Sequence, residues 1–347
     1  KTALASGSPQ PDLQFILSYD VPSFAAAGFI DPWDTYLKDH PELNWDTDWF
    51  SAAKDESMFD GKIYMLSTDI TGEELIYNSE LIPTPPKTWD EYLTVARKFT
   101  KSINPSSPTD YGTAFGGRPA IADESWSIHL WSNGGEILDK DGKVVVDSQT
   151  AIDSLTWWVA LLRTEKVVPP DVTSWAYPEK QVALQNVKIP MASHFEAGLP
   201  ILNDCKQSPL VCGKMKLARN PAGTKGSVTS VQTLGLTLNS KSANKDEAAK
   251  FAFWVVSPEG ALIYTKAGGT SPRESIFNNA DVASSRGSWW ADYSDALSVG
   301  HGTIRDAHAS ELKAILADAV SKAYAGQLAP ADALKQAAAA MRKVLGQ

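Results

Sequence analysis

The 347-residue sequence contains only two cysteines and five histidines, and neither residue type occurs at the spacings that metal sites need. No HExxH pattern and no pair of CxxC motifs is present, and a Gly-x-Ser-x-Gly nucleophile motif is also missing. Residues 223–227 are rich in glycine but lack the spacing of a phosphate-binding loop. The sequence therefore gives no support to a metal centre, a redox site or a hydrolase triad, and we expect no cofactor.

Basic clusters and long apolar runs are missing as well. Lysine and arginine number 32 against 41 aspartates and glutamates, which gives a net charge of −9. This balance disfavours nucleic acid or an anionic membrane as a partner. No window approaches eighteen consecutive apolar residues, so we expect no insertion into a bilayer. The apolar content of 43%, with 12 Trp, 11 Phe and 10 Tyr, is ample for the core of one large domain or two.

Residues 61–91 are the most informative part of the chain. An extended apolar segment precedes Thr68, the centre at 69–72 is polar and contains glycine, and residues 75–77 are apolar again. Thr88 and Glu91 then have the spacing of a capping box, ahead of apolar residues at helical intervals. The pattern predicts a strand, a polar hinge, a second strand and a capped helix, and hence a crossing between two lobes.

Strand and helix signals alternate along the rest of the chain, which is typical of an α/β fold. The patterns predict strands over 13–17, 63–66, 189–192 and 234–238, and helices over 24–28, 89–99, 151–163, 246–256, 312–323 and 330–345. An Asp-Gly turn at 141–142 predicts a short hairpin between 136–138 and 144–146.

The hinge block resembles the solute-binding proteins of carbohydrate ABC importers, the maltose-binding-protein-like family. The family pattern "GK.Y..P......YN..L......PKTW.E" is matched between Gly61 and Glu91. Further segments follow in the family's order over nearly the whole chain: 4–12, 27–33, 133–135, 187–192, 244–251 and 268–273. The resemblance rests on both the order and the spacing of these segments.

The resemblance implies a two-lobed α/β periplasmic-binding-protein fold of type II, the Venus-flytrap arrangement, with several hinge crossings. We expect lobe one at 1–69 and 235–271, lobe two at 74–230 and 275–347, and hinges near 70–73, 231–234 and 271–274. The strand and helix that precede residues 4–12 in the family are expected to be missing from this chain.

The implied function is a receptor that captures a sugar or polyol between two lobes and delivers it to an ABC permease without altering it. We expect a periplasmic or extracellular monomer. A region that precedes this chain could carry a lipid that anchors the protein to the membrane. A glycoside hydrolase with a similar cleft is the alternative class, and a polyamine or iron receptor is the alternative within the class of receptors. A negatively charged sugar derivative is a further alternative for the solute, because the chain contains the cationic residues Arg273, Arg305 and Lys62.

Sugars are bound by aromatic rings and by side chains that pair with neighbouring hydroxyls, at loop tips that face a cleft. Tyr19 and Asp20 follow the first strand, where ligands dock in open α/β sheets, although Asp20 could cap a helix and Tyr19 could be core. The other candidates are Asp69, Thr71, Trp126, His194, Phe195, Gln232, Trp289, Trp290 and Arg305. Thr233 is a candidate together with Gln232, and Trp131 is a candidate beside Trp126, although one of these two rings is expected to be core. Asp69 could instead form a turn, and Arg305 could instead pair near Asp306.

Cys205 and Cys212 enclose a short loop, and a pair this close in sequence can form a disulfide. Free thiols remain the alternative, since two cysteines in a long chain are weak evidence.

Overall fold

A computed structural model describes residues 6–347. Residues 4 and 5, at the start of the first segment that carries the family resemblance, lie outside the described residues. The strands are β1 Leu13–Leu17, β2 Ile30–Asp31, β3 Met58–Phe59, β4 Lys62–Ile63, β5 Leu66–Asn78, β6 Met191–Phe195, β7 Met215–Ala218, β8 Thr229–Asn239 and β9 Gly300–His301.

The α-helices are α1 Val21–Ala26, α2 Asp34–Leu37, α3 Ser51–Ser57, α4 Trp89–Lys98, α5 Ala122–Ser132, α6 Gln149–Arg163, α7 Tyr177–Gln185, α8 Gly198–Asn203, α9 Lys245–Val256, α10 Pro258–Lys266, α11 Glu274–Phe277, α12 Ala280–Arg286, α13 Trp289–Leu297, α14 Ala309–Tyr324 and α15 Pro330–Leu345. Short 3-10 helices occupy Ser18–Asp20, Pro41–Leu43 and Val172–Ser174.

Contacts divide the described chain into two compact units. Unit 1 is formed by the described part of residues 1–71 together with 231–310, and unit 2 by 72–230 together with 311–347. The chain thus passes between units at 71/72, 230/231 and 310/311. The first two passages coincide with or adjoin the predicted hinges at 70–73 and 231–234, whereas the third lies far beyond the predicted hinge at 271–274.

The segment after residue 271 belongs to unit 1 because its side chains pack there. Arg273 is fully buried, and its Nη1 donates to the carbonyl oxygens of Leu43 (2.9 Å) and Val256 (3.0 Å). Its Nη2 lies 2.7 Å from Asp48 Oδ2. The assignment of residues 275–310 to lobe two is therefore corrected, and Arg273 is a structural cation rather than a contact for an anionic solute.

In unit 1, strand β8 pairs with β1 in antiparallel register, from Leu13 opposite Leu238 to Leu17 opposite Leu234. Strands β2 and β9 also pair with β8, and β5 neighbours it. Helix α9 packs its buried face against this sheet, so that Phe253 and Trp33 lie in one core cluster with ring centroids 5.7 Å apart. The alternation of buried and partly buried residues along β8 reflects the period of a strand.

In unit 2, strand β5 pairs antiparallel with β6 and with β7. The buried helices α5 and α6 contact each other and supply an aromatic core that includes Trp126 and Trp158. The hairpin predicted at the Asp-Gly turn is present as a bridge between Leu138 and Val144. The disulfide between Cys205 and Cys212 is confirmed, with Cα atoms 4.9 Å apart.

Strand β5 differs from the predicted strand, hinge and strand. It runs without a break from Leu66 to Asn78 because the central residues find hydrogen-bond partners. In unit 1 the amide of Ile70 donates to the carbonyl of Thr270 (2.8 Å), and in unit 2 the amide of Gly72 donates to Glu196 Oε2 (3.3 Å). The passage between units at 71/72 thus lies inside a strand. Over the described residues, no helix is long and apolar enough to cross a membrane.

We predict that Arg273→Met lowers the free energy of unfolding by about 3 kcal/mol, because it leaves Asp48 and two buried carbonyls without their cationic partner. Urea unfolding at neutral pH measures the change. Arg118→Met, at an exposed arginine, is the control and should change the free energy by less than about 0.5 kcal/mol. A loss below about 1 kcal/mol for Arg273→Met would contradict a structural role.

Candidate functional site

Four of the predicted site residues lie around one turn of unit 1. Tyr19 and Asp20 form the 3-10 helix directly after β1, and both are partly exposed. Ser18 Oγ accepts from the amide of Thr233 (3.3 Å), which places Gln232, also partly exposed, at the neighbouring end of β8. Thr233 itself is buried. Asp20 makes no side-chain capping bond to helix α1, so the capping alternative is not observed.

The side chain of Arg305 contacts the same turn. Its Nη1 donates to the carbonyl oxygen of Ser18 (3.1 Å), and its Nη2 donates to that of Met58. Burial lowers the pKa of Arg305, while the nearby carboxylates of Glu56 and Asp55 oppose that shift. The guanidinium group therefore stabilises the turn that contains Tyr19. The alternative ion pair with Asp306 is not observed, because Asp306 accepts from the amide of His308 (2.7 Å).

Asp69 and Trp289 lie on a second part of unit 1. Asp69 Oδ2 accepts from the Tyr264 hydroxyl and from the amide of Thr270 (3.3 Å). Burial raises the pKa of Asp69, against the lowering effect of these two hydrogen bonds. Tyr293 links the region, since its hydroxyl donates to the Ile70 carbonyl (2.9 Å) and its ring lies 5.9 Å from that of Trp289. Thr71 and Trp289 are both partly exposed.

Two predicted stacking platforms are core residues instead. Trp290 is 1% exposed, and its ring stacks on Phe277 with centroids 4.3 Å apart. Trp126 is fully buried in helix α5, where its indole nitrogen donates to Ser154 Oγ (3.0 Å). Trp131, the weaker candidate on the same helix, is also buried. None of these three rings offers a face to a solute in this structure.

In unit 2, the predicted pair His194 and Phe195 ends strand β6 with opposite exposures. Phe195 is partly exposed, whereas His194 is fully buried. The ring of Tyr177, which begins helix α7 and is also partly exposed, lies 4.5 Å from His194 and 6.1 Å from Phe195. Burial, reinforced by the charge of Lys180, lowers the pKa of His194 to about 3, so the imidazole is neutral. The aromatic pair that is partly exposed is therefore Tyr177 and Phe195, and the buried ring of His194 packs against Tyr177.

Buried carboxyl groups lie beside this aromatic pair. Glu73 is paired with Phe195 across the strands, and Glu74 with His194. Lys180 Nζ lies 2.6 Å from Glu73 Oε1 and 2.8 Å from the carbonyl oxygen of Ser193. Both side chains of this ion pair are almost fully buried. Lys180 thus neutralises Glu73 within unit 2.

Glu74 is held differently from Glu73. It is fully buried, and neither of its carboxyl oxygens has a hydrogen-bond partner among the described residues. Burial, with added repulsion from Glu196 and Glu73, raises its pKa well above the ordinary value. These effects favour the uncharged acid. Glu73, paired with Lys180, and Glu74, in its uncharged form, therefore contribute little net charge.

The sequence predictions missed Tyr177 and the Glu73–Lys180 pair. Phe195 could be identified because it directly follows an apolar strand, but Tyr177 is brought to it by a separate helix. The signal available for Tyr177 was the helix start, where Glu179 Oε2 accepts from the amide of Ala176 (2.8 Å). Among the described residues, no group of three or more His, Cys, Asp and Glu side chains is arranged to hold a metal ion.

The comparisons with known proteins agree with this architecture. A sequence profile of the family described as bacterial extracellular solute-binding protein matches residues 1–262. A relative from Brucella abortus (strain 2308) that bears the name of a binding protein is 26% identical over 293 residues, which are 80% of this chain and 68% of the relative.

Two solved structures show the same fold at lower identity. One is maltose-bound MalE3 of T. maritima, with 23% identity and a TM-score of 0.85. The other is an ABC transporter solute-binding protein from Agrobacterium radiobacter K84 in complex with ribitol, with 24% identity and a TM-score of 0.84. Each match covers 99% of this chain and 87% of the other. The predicted class, an α/β periplasmic-binding-protein fold, is confirmed.

We predict that His194 makes stability depend on pH below neutrality. Its pKa is about 3 in the folded chain against about 6.5 when unfolded, so only the unfolded chain gains a proton as pH falls between these values. Stability from this residue is therefore present above pH 6.5 and lost towards pH 3. His194→Gln should lose less melting temperature than the wild type between pH 7.0 and pH 4.5, as measured by calorimetry.

The exposed His308 provides the matched control for this experiment. His308→Gln should reproduce the pH dependence of the wild type. An equal loss of melting temperature in His194→Gln and wild type would show that the buried imidazole does not carry the effect.

Proposed function

This chain belongs to the bacterial extracellular solute-binding protein family, and on that basis we propose that it is the receptor of an ABC importer for a neutral sugar or polyol. It would act as a periplasmic or extracellular monomer that hands the solute to a permease without altering it. The observation that carries the solute class is the partly exposed pair Tyr177 and Phe195 beside Glu73, which pairs with Lys180, and Glu74, which favours its uncharged form.

Aromatic rings stack on the C–H faces of sugars, whereas a charged solute needs a counter-charge. At the Tyr177 and Phe195 surface, Lys180 already pairs with Glu73, and Glu74 favours its uncharged form. This balance supports a neutral solute over a polyamine or an anionic sugar. Unit 1 supplies a second polar set suited to hydroxyls, formed by Tyr19, Asp20 and Gln232.

The similar structures support the same solute class. The first was solved with bound maltose, and the second, an ABC transporter solute-binding protein, was solved with bound ribitol. A hydrolase is disfavoured because it needs two reachable carboxyl groups on either side of a bond. In unit 2, Glu74 has the raised pKa expected of a general acid, but it is fully buried.

We predict that a neutral sugar or polyol raises the melting temperature without being converted. A ligand at about 100 times its Kd adds about 2.7 kcal/mol to folding stability. A thermal-shift screen of mono-, di- and oligosaccharides and polyols, followed by chromatography of the incubated solute, measures both points. Spermidine and glucose 6-phosphate serve as charged comparisons. Formation of a product, or stabilisation by the charged compounds alone, would contradict the proposal.

We predict that Phe195→Ala weakens binding of the solute found in that screen by about tenfold, because loss of a stacked ring costs roughly 1.4 kcal/mol. Isothermal titration calorimetry measures the affinity. Phe251→Ala, which removes a more exposed phenyl ring in unit 1, is the matched control and should leave the affinity unchanged. Equal affinities of Phe195→Ala and wild type would remove Phe195 from the solute site.

A further inference from the structure

Unit 2 contains a cavity of about 610 Å³ that none of the predicted site residues lines. Its wall is formed by the beginning of α4, the end of α5, one face of α6 and the loop at residues 222–224. This volume lies within the range of small-molecule sites and exceeds that of a single sugar ring or small amine. Its position and lining are independent of the surface formed by Tyr177 and Phe195.

Hydrogen bonds fix the loop at residues 222–224, which forms one part of the cavity wall. The amide of Ala222 donates to the carbonyl oxygen of Lys87 (2.8 Å), and the amide of Thr224 donates to Asn133 Oδ1 (3.2 Å). Gly223 approaches the end of α5 so closely that an added Cβ would lie 2.5 Å from the carbonyl oxygen of Ser132. The cavity is therefore a preformed feature of unit 2.

The aromatic part of the wall is Trp157, which is partly exposed on helix α6. Its inner face stacks on His129, with ring centroids 4.4 Å apart and planes 8° from parallel. His129 is itself held by Ser154 Oγ, 2.8 Å from its Nδ1. Burial lowers the pKa of His129 to about 3, so this imidazole adds no positive charge to the cavity.

Two exposed carboxylates, Asp90 and Asp153, also line the cavity. Asp153 lies one turn before Trp157 on α6, and therefore on the same helix face. Its Oδ1 accepts only from the side-chain amide of Gln149 (2.7 Å), and neither carboxylate forms an ion pair with a described residue. The lining residues include no lysine or arginine. Lys225 is next to the loop, but its side chain packs against Gly134 and is not part of the cavity lining.

The sign of the net charge decides the class of ligand. The first turns of α4 and α6 both reach the wall, and each helix terminus contributes roughly half a positive charge. The two carboxylates contribute −2, so the cavity remains negative by about one charge. We propose that this cavity is a second binding site, for a small organic cation in which an ammonium group is attached to a hydroxylated ring, as in an amino sugar.

In this site the ammonium group would lie between the carboxylates and the indole face, where a cation is attracted by the ring. The hydroxyls of the ligand would pair with Thr88, Thr150 and Asn133 of the wall. A neutral sugar of the same shape would keep the stacking but lose the charge attraction. The expected preference for the cation is about fivefold at low salt, and it should weaken as salt is added.

Glucosamine and glucose differ at one position by an ammonium for a hydroxyl group, and they are the probes for the test. We would record the indole N–H signals of the ¹⁵N-labelled full chain, with the Trp157 signal assigned through Trp157→Phe. The expected result is that glucosamine shifts the Trp157 signal with a Kd about fivefold lower than glucose. Asp90→Asn combined with Asp153→Asn should abolish that preference, while Asp171→Asn, at an exposed carboxylate elsewhere in unit 2, should retain it.

The proposal is overturned if neither sugar shifts the Trp157 signal, if both bind with equal Kd, or if the double variant keeps the preference. The titration is repeated with the solute of the importer at saturation and on Phe195→Ala. Unchanged shifts at Trp157 under both conditions separate this cavity from the proposed transport site. Shifts that vanish under either condition would assign the glucosamine effect to that other site and remove the proposal.

Discussion

The constraint on which the structure depends is the hydrogen bonding of one long strand, β5, at the place where the chain passes from unit 1 to unit 2. A buried backbone amide without a partner is costly, so the amides on either side of residue 71 need hydrogen-bond partners. In unit 1, Thr270 serves Ile70, and in unit 2, Glu196 serves Gly72. Gly72 is needed for close approach, since an added Cβ would lie 2.9 Å from Thr229 Cγ2.

Local sequence patterns predicted the structure correctly where an element is determined by residues close to one another in the sequence. Strand β1 has the predicted bounds. Helix α4 begins with the expected Thr88 cap, since the amide of Glu91 donates to Thr88 Oγ1 (3.2 Å). The reciprocal half of the predicted box is shifted by one residue, because Glu91 Oε2 accepts from the amide of Lys87 (2.7 Å) and not from that of Thr88. The third passage between units could not be found in this way. The segment at the predicted hinge of 271–274 instead belongs to unit 1, where the buried Arg273 donates to the carbonyl oxygens of Leu43 and Val256, which are distant from it in sequence.

The site predictions succeeded or failed according to the direction of each side chain, which a sequence segment alone does not determine. Trp289 and Trp290 are neighbours about 100° apart on helix α13, so that one is partly exposed and the other is core. His194 and Phe195 alternate across a strand for the same kind of reason. Polar neighbours in the sequence indicated a ring near the surface at Trp289 and Trp290, and the end of an apolar strand indicated one at His194 and Phe195, but neither signal indicated which ring of the pair it was.

Unit 2 presents two aromatic surfaces with acidic neighbours, and burial gives them opposite electrostatic characters. Beside Tyr177 and Phe195, the acids are enclosed, so that Glu73 must pair with Lys180 and Glu74 favours its neutral form. Beside Trp157, Asp153 is exposed to water and accepts a hydrogen bond from Gln149. The two proposals, a neutral hydroxylated ligand at the first surface and an ammonium-bearing ligand at the second, both rest on this difference in burial.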